Sequence, residues 1–150
     1  MKLITNNTPN KHVDILNKLI PLSKKIILCT GWIDNAGINK ILPHLVKAAN
    51  CNTEITIYSN KKHTQDDVKN TISKHDNITH IIASQHKKYL HSKIYYFEHE
   101  KTFTAIIGSA NLTSGGLKKN EELSIELDGN IGSLEHTNII IYLNELDKYR

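Results

Sequence analysis

The feature that most constrains the fold is a change of pattern half-way along the chain. Up to about residue 83, short strand-like runs alternate with helical patterns. Lys25 to Thr30 reads as a buried strand closed by Gly31, Glu54 to Ser59 alternates as a second, and Ile78 to Ala83 forms a third. Thr8-Pro9 opens a helix whose Val13, Leu16 and Ile20 share a face and which ends near Pro21. Ile38, Ile41, Leu42, Leu45 and Val46 mark a second helix with Pro43 near its start, and Thr64 with Asp67 resembles a capping box opening a third. Beyond that point strands follow one another without helices: Leu90 to Phe97, Thr102 to Ile107 and Glu122 to Leu127. Ser133 to Tyr149 returns to helix, with Leu134, Ile141, Leu143 and Leu146 among its apolar positions. An α/β fold follows, a mixed β-sheet flanked by helices.

The 150 residues, 39% of them hydrophobic, suffice for one domain over 1–150 with a real core, which excludes disorder. Only two cysteines occur, without zinc spacing and too few for a disulfide framework. Cys29 closes the run Ile26-Ile27-Leu28-Cys29 and is expected to be buried; Cys51, between Asn50 and Asn52, belongs on a loop. No signal-peptide stretch opens the chain and no run approaches the roughly 18 apolar residues of a membrane span. A soluble, cytoplasmic protein with reduced thiols and no membrane partner is expected. The formal charge of +4 permits an anionic partner without demanding one.

Chemistry concentrates in His91-Ser92-Lys93-Ile94-Tyr95-Tyr96-Phe97 and the following Gly108-Ser109-Ala110-Asn111. Strand alternation places His91, Lys93, Tyr95 and Phe97 on one face, with the imidazole and ammonium about 7 Å apart along the chain. Such a positive spot suits a phosphate, although a His-x-Lys pair alone is more often a solvated face. Ser109 and Asn111 can both donate to phosphate oxygens, while the bland alternative is a small polar turn. On Glu122-Leu123-Ser124-Ile125-Glu126-Leu127, alternation puts the apolar residues on one face and Glu122, Ser124 and Glu126 on the other. Glu122 is then either a solvated strand residue or a carboxylate that fixes the tautomer of His91.

Taken together, His91-x-Lys93 followed by Gly108-Ser109-x-Asn111 resembles the HKD motif of the phospholipase D superfamily. The trailing Leu112-Thr113-x-Gly115-Gly116 and Glu122 resemble its nuclease branch, which includes small nonspecific endonucleases and metal-independent restriction endonucleases. The resemblance implies the superfamily's α/β/α sandwich and an endonuclease acting on DNA, with RNA as a further possible substrate. It implies His91 as nucleophile or acid, Lys93 and Asn111 as phosphate ligands, Ser109 as their support, and Glu122 as the group orienting the histidine. It further implies a covalent phosphohistidine resolved by water, with no metal and no cofactor. Two departures stand out: the family's Asp, which follows the Lys after four intervening residues, falls on Glu98, and only one motif is present. Single-motif members supply the second histidine by dimerising, so a homodimer with one shared site is implied.

Other features are ambiguous. The basic runs Lys61-Lys62-His63, His86-Lys87-Lys88 and Lys118-Lys119 can contact a nucleic-acid backbone or simply be solvated. Trp32 is expected to pack, and His44, His75, His80 and His99 show no metal-ligand spacing. Two other functions compete with the endonuclease. A lipid phosphodiesterase would share the catalytic residues, but no interfacial apolar helix favours it and a pI near 9.0 leans toward nucleic acid. A non-catalytic dimeric DNA-binding module would not need His91, Lys93 and Asn111 intact. No separate recognition domain is visible, which points to a nonspecific nuclease or a catalytic module working beside another polypeptide.

Overall fold

A computed structural model describes residues 1–84 and 88–150. Seven strands, β1 (Lys2–Thr5), β2 (Lys25–Thr30), β3 (Glu54–Asn60), β4 (Ile78–Ala83), β5 (Ile94–Glu98), β6 (Thr102–Gly108) and β7 (Leu123–Asn130), form one mixed sheet. Its order is β1-β7-β6-β5-β2-β3-β4. The alternating first half gives the parallel β2, β3 and β4, because each helical crossover returns the chain to the same end. The helix-free second half gives the antiparallel β5, β6 and β7.

Helices cover both faces. On one side, α1 (His12–Leu19), α2 (Asn35–Ile38), α3 (Leu42–Asn50) and α4 (Asp66–Ser73) bury Leu16, Ile38, Leu45 and Val68 against Ile26, Leu28, Tyr95 and Phe97 of the sheet. On the other, α5 (Leu134–Glu145) sets Ile139 and Leu143 against Tyr96, Phe103 and Ala105. Strands covered on both faces read as continuous apolar runs, which is why Ile94, Tyr95, Tyr96 and Phe97 are all buried. The architecture is an α/β/α sandwich.

Several local expectations need correction. The first helix begins at His12 rather than at Thr8-Pro9, with the Lys11 N–H donating to the Asp14 carboxylate at 3.0 Å. Thr64 does not cap the third helix: its hydroxyl turns inward to Ser59 and the Asn60 carbonyl, and Gln65 takes the capping position. Strand β5 starts at Ile94, so His91 and Lys93 lie on the segment leading into it and are not a strand face. On β7 the side chains alternate as expected, but the polar face is the covered one: Ser124 and Glu126 are buried while Leu123 is 55% exposed. The cause is β1, unread in the sequence, which pairs with β7 and sets Lys2 against Glu126, while the buried His12 takes Ser124. The Gly115–Lys119 segment, read as loop, coils into a single wide helical turn. Pro43 sits in the first turn of α3, where its missing N–H costs nothing.

Candidate active site

The topology decides which chain segments meet. Strands β2 and β6 both run antiparallel to β5, and β7 runs antiparallel to β6. The exits of β2 and β6 therefore lie at the same end of the sheet as the entries to β5 and β7. Gly31 and Trp32 leave β2 there, His91 and Lys93 lead into β5, Ser109 and Asn111 follow β6, and Glu122 precedes β7.

His91 is exposed, and its Nε2 lies 3.2 Å from Nζ of Lys93, which also donates to the His91 carbonyl at 2.7 Å. An ammonium has no lone pair, so this contact places the lone pair of a neutral His91 on Nε2 and its proton on Nδ1. Burial lowers the Lys93 pKa from its ordinary value, and the charges of Glu122 and Cys29 oppose that shift. The backbone of Gly31 packs closely behind His91: a Cβ there would fall 3.2 Å from both Cα and Cδ2 of the histidine, tight enough to push against the ring.

Asn111 is held by its carbonyl end. The Trp32 N–H donates to Asn111 Oδ1 at 3.0 Å, which fixes the amide orientation and leaves Nδ2 without a protein partner among the described residues. Thr30 braces the same turn, its hydroxyl donating to the Trp32 carbonyl at 2.7 Å and accepting from the Leu112 N–H at 3.1 Å. Below Asn111, a Cβ on Gly116 would lie 2.4 Å from the Asn111 carbonyl oxygen, so the glycine pair lets the wide turn close against this residue. Ser109 donates its hydroxyl to Glu122 Oε2 and accepts from the Leu123 N–H at 3.1 Å. Within one chain Glu122 thus grips Ser109 rather than His91, and its second oxygen has no hydrogen-bond partner among the described residues.

The family described as the NgoFVII restriction endonuclease N-terminal PLD domain matches residues 8–148. The chain belongs to that family. It is accordingly an endonuclease domain, a hydrolase of phosphodiester bonds. No curated protein sequence matches the chain. Among solved structures, Nuc from Salmonella typhimurium, a phospholipase D family member, is 16% identical with a TM-score of 0.73, covering 99% of this chain and 95% of Nuc. NucT from Helicobacter pylori is 13% identical with a TM-score of 0.71 and the same coverage of each chain. A segment of polyphosphate kinase from Porphyromonas gingivalis, 26% of that chain, aligns with 99% of this one at 13% identity and a TM-score of 0.74. At these identities the likeness establishes the fold.

Within this PLD domain, the sequence-derived set His91, Lys93, Ser109, Asn111 and Glu122 converges at one sheet end. Glu98 does not join it. That residue closes β5, about 13 Å along the strand from Ile94, accepts from the Tyr96 hydroxyl at 2.9 Å and faces Lys24 at 3.7 Å. Trp32 corrects its expectation too: it is 48% exposed and stacks on His63. His86 and Lys87 of the second basic run lie outside the described residues. Among the described residues no group of three or more His, Cys, Asp or Glu side chains is arranged to hold a metal ion, and no helix is long and apolar enough to cross a membrane. The supporting residues Thr30, Trp32 and His12 were not legible as such. Only the small-polar-then-aromatic step Thr30-Gly31-Trp32 after an apolar strand hinted at the first two.

Proposed function

We propose that this domain is a metal-independent DNA endonuclease that works through a phosphohistidine at a site completed by two protomers. The observation that carries this reading is the gathering of one exposed imidazole, one ammonium, one outward amide and one carboxylate at the same end of the sheet. The attacking imidazole has to be neutral while the proton donor to the leaving group has to be charged, so two histidines are required. A second copy related by a two-fold axis supplies the other.

In the forward step, Nε2 of His91 bonds to phosphorus as the bond to the leaving oxygen breaks, and that oxygen takes a proton from the partner's His91. Water then attacks phosphorus and gives its proton back to that imidazole. The N–P bond breaks, releasing a phosphate monoester and free His91. Lys93 and the Asn111 amide hold the non-bridging oxygens, where negative charge grows. Ser109 supports them, and the unengaged Glu122 oxygen accepts from the Nδ1–H of a catalytic imidazole and fixes its tautomer. The +4 charge favours a polyanion over a lipid headgroup at a membrane surface.

Plasmid DNA incubated in excess EDTA with the protein and with a His91→Ala variant tests the mechanism. Nicking by the parent protein in EDTA, abolished in the variant, is expected. Cleavage that needs a divalent ion, or that persists without His91, would sink the mechanism.

A further inference from the structure

Beyond the site residues, a row of aromatic rings leads up to His91. Trp32, His63 and Tyr89 come from three separate places: the exit of β2, the short turn Lys61–His63 after β3, and the approach to His91. Trp32 and His63 stack with centroids 4.5 Å apart and planes 20° apart. His63 Nε2 meets the Tyr89 hydroxyl at 2.5 Å, with the two rings edge to face at 6.1 Å. The Tyr89 ring in turn lies 6.0 Å from that of His91. Trp32 is 48% exposed and Tyr89 47%, so neither is committed to the core.

Two further facts tie this row to substrate. The Trp32 backbone N–H is the group that orients Asn111, so the indole and the outward amide are fixed to one another. Exposed Lys61 and Lys62 immediately precede His63 and bring positive charge to the same row. Cations alone would suit any polyanion. Exposed π faces beside them suit one whose bases are free, because lysines take phosphates while rings stack on bases. A duplex keeps its bases stacked on each other and offers these rings nothing.

We propose that Trp32 and Tyr89, braced by His63, form a base-stacking shelf that makes single-stranded nucleic acid the preferred substrate. The proposal rests on the endonuclease reading for its chemistry, but binding to the shelf does not require turnover.

Trp32 is the one tryptophan of the chain, so its emission reports on the shelf directly. In a His91→Ala background, which prevents cleavage, the protein is titrated with a short single-stranded oligonucleotide, the same sequence as duplex, and an abasic strand of equal phosphate number. The single strand should quench Trp32, and the abasic strand and duplex should not. By anisotropy of a labelled single strand, Trp32→Ala and Tyr89→Ala should each weaken binding at least about fivefold, with Trp32→Phe close to the parent. Three results would each overturn the shelf. One is binding without quenching, and another is equal affinity for the abasic strand. The third is a dimer that falls apart in Trp32→Ala and Tyr89→Ala, which would make these rings a contact between copies. Failure of quenching alongside His91-dependent cleavage removes the shelf alone. Quenching alongside His91-independent cleavage removes the mechanism alone.

Discussion

Asn111 shows how one side chain is given a direction. Its oxygen is engaged by the Trp32 N–H, so its two N–H donors face the place where a phosphate would sit. Asn111→Asp keeps the acceptor and the shape, yet replaces the donors with a negative charge. Cleavage should fall by about 10²–10³-fold, the scale for losing one donor to a developing anion, with the melting temperature nearly unchanged. A parallel fall in melting temperature and activity would mean that Asn111 serves the fold instead. The motif residues were legible because phosphate chemistry needs imidazole, ammonium, hydroxyl and amide groups, and here all occur within two short segments. Their supports were not, because Thr30 and Trp32 stand some eighty positions away in sequence (separations of 81 and 79), and no local pattern records such a partnership.

At the scale of elements, β3 and β4 are locked by a polar chain as well as by their ladder. Thr64 donates to Ser59, whose hydroxyl lies 2.7 Å from His80 Nε2 on the next strand. Because Ser59 has one proton to give, His80 accepts it only when neutral. Burial, with the Lys69 charge adding to it, pushes the His80 pKa down from 6.5 to about 4. The unfolded chain therefore binds a proton that the fold refuses, and stability is full above about pH 6.5 and lost as pH falls toward 4. His12, lowered by its own burial, acts in the same direction. Denaturant melts across this window should lose of order 1 kcal/mol through His80, and His80→Gln should flatten the slope; an unchanged slope would count against it. Four of the strands, β2, β3, β4 and β6, were legible to within a residue, since buried β-branched runs leave a strong signature. Strand β1 was not: it has four residues, and Ile4 is its one buried apolar side chain, so its sequence resembles a terminus. That the polar face of β7 is covered was not legible, for the related reason that its cover arrives from β1 and α1, at the other end of the chain.

For the whole molecule, the proposed mechanism requires two chains per site. Light scattering should give about twice the 17.0 kDa chain mass. Subunit mixing is sharper: if each site needs His91 from both protomers, activity in mixtures with His91→Ala falls with the square of the parent fraction, to about one quarter at equal amounts. A linear decline would refute sharing. The two cysteines offer a way to watch this assembly. Cys29 is buried, with its thiol pushed up to about 11, so thiol reagents will pass it by. Cys51 is exposed at the end of α3, where the chain turns into β3. Parallel pairing of β3 with β2 puts that entry at the far end of the sheet from the exit of β2, hence from His91. The domain thus carries its own single point of attachment for a dye, remote from catalysis and present once per copy. Donor and acceptor placed there on separate batches would report the meeting of two chains while leaving the chemistry untouched.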